Sequence, residues 1–107
     1  MAFIALDVSL DFARDLAEPL RLLERRDASL ADQLRRAASS VSLNLAEGRG
    51  RIGRDRVQRW RIALGSAQEA VAALRLADAW GLLEPARVRA LLGRADRLVA
   101  LLWGLTH

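Results

Sequence analysis

Apolar residues in this chain recur every three or four positions through four successive segments, and no alternating strand pattern competes with them. Such a rhythm builds α-helices with one buried face. The clearest stretch holds Leu30, Leu34, Ala37, Val41 and Leu45, which share one helical face. Gln33, Arg36, Ser40, Asn44 and Glu47 keep the same rhythm on a second face. Gly48 follows, where a glycine in the left-handed conformation is expected to end the helix.

The other segments repeat the design. Leu6, Leu10, Ala13, Leu16, Leu20 and Leu23 mark the expected core face of a first helix. Asp7 or Ser9 is the expected N-cap, and Pro19 the expected site of a bend within a continuous helix. Ser29, with Asp32 three positions on, reads as a near capping box for the second helix. Three serines in four positions (Ser39, Ser40, Ser42) are poor helix formers, and small side chains there allow a neighbouring helix to approach closely.

A third helix carries Val57, Trp60, Leu64, Ala67, Val71 and Leu74, with a small-residue ridge at Ala63, Ala67, Ala70, Ala73 and Ala77. Gly65, in mid-helix, suggests a close helix crossing or a tolerated glycine. Gly81 is the expected C′ residue, and Pro85 suits the first turn of a fourth helix. That last helix buries Val88, Leu91, Leu92, Ala95, Leu98, Val99 and Leu102. Leu101, Trp103 and Leu105 widen its apolar face towards the end.

The resulting expectation is an all-α chain, one domain over residues 1–107, with helices near Asp7 to Arg26, Leu30 to Glu47, Arg54 to Ala79 and Pro85 to Leu105. Short connections imply an antiparallel up-down-up-down four-helix bundle. A chain of 107 residues that is 52% hydrophobic has more apolar surface than one small core absorbs, so the bundle is expected to be oligomeric.

Charge and composition exclude several classes. There is no cysteine, hence neither a disulfide frame nor a thiolate metal site. No apolar run approaches the length needed to cross a membrane, and Asp7 and Asp11 interrupt the first segment where a signal peptide would be continuous. A cytoplasmic protein is expected. The one histidine, His107, is the last residue, and no Glu-x-x-His pair is present for a di-metal bundle. Serines 39, 40 and 42 lack a His or Lys partner, so no catalytic residues, cofactor or metal are expected and the chain reads as a non-enzyme. The tryptophans sit at core-like spacing and read as packing residues.

The basic signal is local. From Arg49 to Arg61 six arginines stand against Asp55 alone, on a turn holding Gly48, Gly50 and Gly53. Arg49, Arg51, Arg54, Arg56 and Arg59 are therefore the candidate nucleic-acid-binding residues. The competing reading is a solvated loop whose arginines pair with acids. Arg36, Ser40, Asn44, Glu47, Trp103 and Leu105 are the candidate helix-contact or subunit-interface residues. Asn44 or Glu47 is expected to bond to a neighbouring helix or its arginines.

The stretch QLRRAASSVSLNLAEG, followed by a basic turn and RWRIALGSAQEA, resembles the bacterial four-helix-bundle family of proteins encoded in 23S rRNA intervening sequences. That family includes accessory proteins of diversity-generating retroelements. The resemblance rests on Gln33 to Ala38, Ser40, Asn44, Ala46, Glu47, Gly48, Arg59, Ala63, Gly65, Ser66 and Glu69. The chain departs from the family pattern at Ser42, Arg49 and Val71, where a proline, an aromatic and a glutamate are usual. The resemblance implies a homo-oligomer, typically a pentamer. For some members it implies binding to RNA or DNA and to a reverse transcriptase. Two functions follow as expectations: a non-enzymatic oligomeric nucleic-acid-binding protein, or a structural and protein-interaction module without nucleic-acid binding.

Overall fold

A computed structural model describes residues 3–107 and contains four helices, with no strand among those residues. They are α1 (Ile4–Arg26), α2 (Ala28–Arg49), α3 (Gly53–Ala79) and α4 (Pro85–Thr106). Each helix packs on the next, and α1 also packs on α4, so the four enclose one core. The result is a four-helix bundle of 42 × 22 × 22 Å. All elements begin earlier than their periodicity suggests, or at the same residue.

The expected α2 face is buried at all five positions, Leu30, Leu34, Ala37, Val41 and Leu45. The α3 ridge is buried as well, at Ala63, Ala67, Ala70, Ala73 and Ala77. The α1 face is rotated by part of a turn from expectation: Leu16 and Leu23 are buried and Leu6 and Leu20 pack against the core, but the innermost stripe is a neighbouring one. Its buried positions are Ala5, Ser9, Phe12, Leu16, Pro19 and Leu23, while Leu10 is 43% exposed. Ser9 is tolerated inside because its hydroxyl donates to the Leu6 carbonyl at 2.7 Å and pairs with the Ser42 hydroxyl at 2.8 Å. A satisfied hydroxyl carries little of the desolvation cost that an orphan would. Helix α1 runs unbroken through Pro19, whose ring is buried in the core.

Three caps differ from the sequence reading. Phe3, not Asp7 or Ser9, precedes α1, and no side chain caps that end. Asp27 caps α2 by accepting from the Leu30 amide at 3.0 Å, which leaves Ser29 exposed inside the first turn. Asp27 has a non-helical backbone, φ −155° and ψ 87°, and its carboxylate reaches the free amide of Leu30, as a cap requires. The third correction concerns Gly48. It lies within α2, not beyond its end, and the left-handed glycine of this turn is Gly53, with φ +59°.

Gly48 is needed for space. A Cβ there would stand 2.6 Å from Nε1 and 2.7 Å from Cδ1 of Trp60, and 3.2 Å from Cβ of Arg59. The indole N–H donates to the Leu45 carbonyl at 3.3 Å, which fixes the ring against α2. Gly65, by contrast, meets nothing within 4 Å and makes no close crossing inside the bundle. Gly81 behaves as expected. It has φ +66°, its amide bonds the Asp78 carbonyl, and Leu82 bonds back to Ala77, which closes α3. Pro85 opens α4 in the first turn.

Gly48→Ala is expected to destabilise the protein by about 1–3 kcal/mol, because the indole must leave its rotamer or α2 and α3 must part. Chemical denaturation of the two proteins measures it, and an unchanged midpoint would refute the close-packing account.

Candidate nucleic-acid interface

The basic turn lies where α2 ends and α3 begins. Its arginines do three different things. Arg51 is held by two carboxylates, Glu47 and Asp55, each at 2.6 Å. Hydrogen bonds donated to Asp55 and then Glu47, reinforced by the charges of those carboxylates, raise its pKa above the ordinary guanidinium value. The ion remains charged at any pH of interest, and its field is largely matched by the two acids.

Arg56 serves the backbone. Its Nε donates to the Gly48 carbonyl at 3.1 Å and its Nη2 to the Arg49 carbonyl at 3.2 Å. These are carbonyls of the last turn of α2, where helical partners run out, and the Gly48 carbonyl also accepts from the Arg51 amide at 3.0 Å. The same guanidinium lies 5.4 Å from the Trp60 ring centroid. Arg49 lies 5.4 Å from the Phe3 ring, and Phe3 lies 5.6 Å from Trp60. Cations and rings thus alternate across this end of the bundle, each arrangement favourable to the ring quadrupole. Phe3 carried no sequence signal for this role.

Arg54, Arg59 and Arg61 make no ion pair or hydrogen bond among the described residues. Arg54 and Arg61 are exposed and line a shallow depression with Gly53, Val57 and Gln58. They stand one heptad apart on α3, about 10.5 Å along its axis. Arg59 is half-buried beside Gly48. Arg61 was visible in the arginine run, and its place on the Arg54 face follows from the seven-residue interval. Ile52, at the mouth of the turn, is 82% exposed.

The polar stripe of α2 divides likewise. The Ser40 hydroxyl crosses to that of Ser66 on α3 at 2.7 Å. Asn44 stays within its own helix, donating to the Ser40 carbonyl at 2.9 Å and to its hydroxyl at 3.1 Å. Arg36 pairs with Asp32 at 3.0 Å on an exposed surface. Leu105 is half-buried against the core. Trp103 is 53% exposed and stacks on the terminal His107 ring at 3.5 Å. Trp80 is also exposed, so only Trp60 of the three tryptophans is packed within the chain. No group of three or more His, Cys, Asp or Glu suited to a metal ion occurs among the described residues. No helix among them is long and apolar enough to cross a membrane.

This is a four-helix bundle whose α2–α3 end is basic and partly neutralised by its own acids. The chain belongs to the family of 23S rRNA-intervening sequence proteins, whose sequence pattern matches residues 3–104. Among solved structures it is similar to a protein of unknown function from the S23 ribosomal protein family of Bacteroides thetaiotaomicron. The two share 21% identity over 95% of this chain and 97% of the other, with a TM-score of 0.89. That likeness is one of fold. No curated protein matches the chain. Neither the family nor the structural relative is described as an enzyme.

Arg56→Ala is expected to cost about 1–2 kcal/mol of stability, since two helix-end carbonyls lose a charged donor. A thermal melt that matches wild type would show those bonds to be idle.

Proposed function

We propose that the protein is a non-enzymatic, homo-oligomeric bundle, most simply a cytoplasmic pentamer, that binds RNA or DNA from the basic turn and the first half of α3. Within each copy residues 1–107 form one domain with an up-down-up-down course. The pairs Ser9–Ser42 and Glu24–Arg35, which advance along α1 while retreating along α2, support that course for the first two helices. The family description, which concerns 23S rRNA intervening sequences, supports a role close to RNA. A reverse transcriptase is the protein partner to test should the retroelement branch of the family apply.

One observation carries the binding proposal. Arg54 and Arg61 are exposed on one face of α3 and Arg59 lies half-buried on another, next to Gly48; none is engaged with an acid, so their field is available to a polyanion. The sequence candidates separate accordingly. Arg54 and Arg59, joined by Arg61, contact phosphates. Arg51 and Arg56 shape the turn, and Arg49 joins the aromatic cluster. Arginines without bases to read bind through phosphates, so affinity falls linearly with salt on logarithmic axes and differs little between sequences.

Changing Arg54, Arg59 and Arg61 together to glutamine is expected to weaken binding to mixed single-stranded RNA and duplex DNA at least tenfold, with a shallower salt slope. Arg51→Gln should leave affinity within about twofold. Fluorescence anisotropy at several salt concentrations measures both. Wild-type protein that binds neither polymer at low salt leaves the second reading, a protein-interaction module, which the pairing of Arg51 with Glu47 and Asp55 favours.

A further inference from the structure

The rotation of α1 leaves apolar residues at the edge of the core, only partly covered. Leu10, Ala13, Ala17 and Leu20 line one side of a groove between α1 and α2, and Ala38 and Leu43 line the other. Leu43 is 68% exposed. The groove measures about 430 Å³ and Arg35 stands in its wall. On α3, a different face of the same molecule carries Ile62, Gly65, Glu69, Ala72 and Leu76, all exposed and spaced by three and four residues. This forms a narrow ridge, low at Gly65 and Ala72, with nothing within 4 Å above Gly65.

The two faces complement each other in charge. Glu69 sits at the middle of the ridge and makes no ion pair among the described residues. Arg35 in the groove has only a long contact, 3.5 Å, to Glu24. They also match in length. From Glu69 to either Ile62 or Leu76 is about 10.5 Å along a helix, and from Arg35 to Leu43 about 12 Å. Laying Glu69 against Arg35 therefore brings an apolar ridge residue onto Leu10 and Leu43.

We infer that the α3 ridge of one copy docks into the α1–α2 groove of the next copy, with Glu69 paired to Arg35. The inference rests on the oligomer reading above and supplies its surfaces. Because ridge and groove are separate faces, the contact is head-to-tail, and repeated copies must close into a ring or grow as a filament. Such docking also covers the leucines that α1 and α2 leave exposed, and small residues on the ridge let the two helices approach closely.

The test uses two exposed positions that leave the core intact. Leu43→Asp spoils the groove and Ala72→Arg spoils the ridge. Each variant should be monomeric in light scattering, with an unchanged far-ultraviolet circular dichroism spectrum. Mixed in equal amounts they should form a one-to-one dimer, because each retains the face the other lacks. In the same way, Glu69→Arg and Arg35→Glu should each dissociate the protein, and the double exchange should restore assembly. Monomeric variants that fail to pair on mixing, or variants that assemble like wild type, overturn this surface while wild-type assembly keeps the oligomer reading. A monomeric wild type removes both.

Discussion

Close packing of α2 against α3 governs the rest of the structure. The seam is built from small residues: Ala37, Ser40 and Gly48 on one side, Ala63, Ser66, Ala67 and Ala70 on the other. Small side chains bring two helix axes near, and then any larger side chain at the seam must be placed with care. Trp60 is that side chain. It occupies the space above Gly48, bonds to Leu45, supports Phe3 and Arg56, and so connects core packing to the basic turn. The turn's shape is thus a consequence of the seam.

Hydroxyl pairs add specificity to that packing. Ser9–Ser42 joins α1 to α2 and Ser40–Ser66 joins α2 to α3. A leucine core tolerates sliding, since apolar contacts are non-directional. A hydroxyl pair half-shielded from water does not, because a slip strands both groups. The cluster of serines in α2, unfavourable to helix by propensity, is explained by these two crossings together with the local bond of Ser39 to Arg35.

The legible part of the fold was the part written in periodicity. The α2 and α3 faces could be read from spacing because each buries one stripe and the stripe is apolar. The α1 face was legible only in part, because the helix carries two stripes: Leu16 and Leu23 of the expected series are buried and Leu6 and Leu20 pack against the core, but Ser9, Phe12 and Pro19 point inwards in place of Leu10 and Ala13. A rule that assigns the most apolar stripe to the core fails when a second apolar stripe exists. Gly48 misled for a related reason. A glycine after a helical pattern has two uses, positive φ and missing bulk, and only the position of Trp60 across the seam decides between them. The individual roles of the arginines were hidden too, since the acids Glu47 and Asp55 lie four residues on either side of Arg51 and claim it only once the turn is formed.

The arrangement of the arginines bears on how a polyanion would be held. A residue locked between two carboxylates contributes order but little net field, whereas one on an open helical face contributes field and remains free to move. Here the ordered arginines, Arg51 in the turn and Arg56 at the start of α3, are tied to the end of α2, and the open ones, Arg54 and Arg61, are on the outward side of a helix fixed by the seam. Phosphates meeting Arg54 and Arg61 would therefore meet cations whose spacing is set by the helix and not by a flexible loop. The basic turn works as the brace that starts α3 in the right place, and the first turns of α3 present the charge.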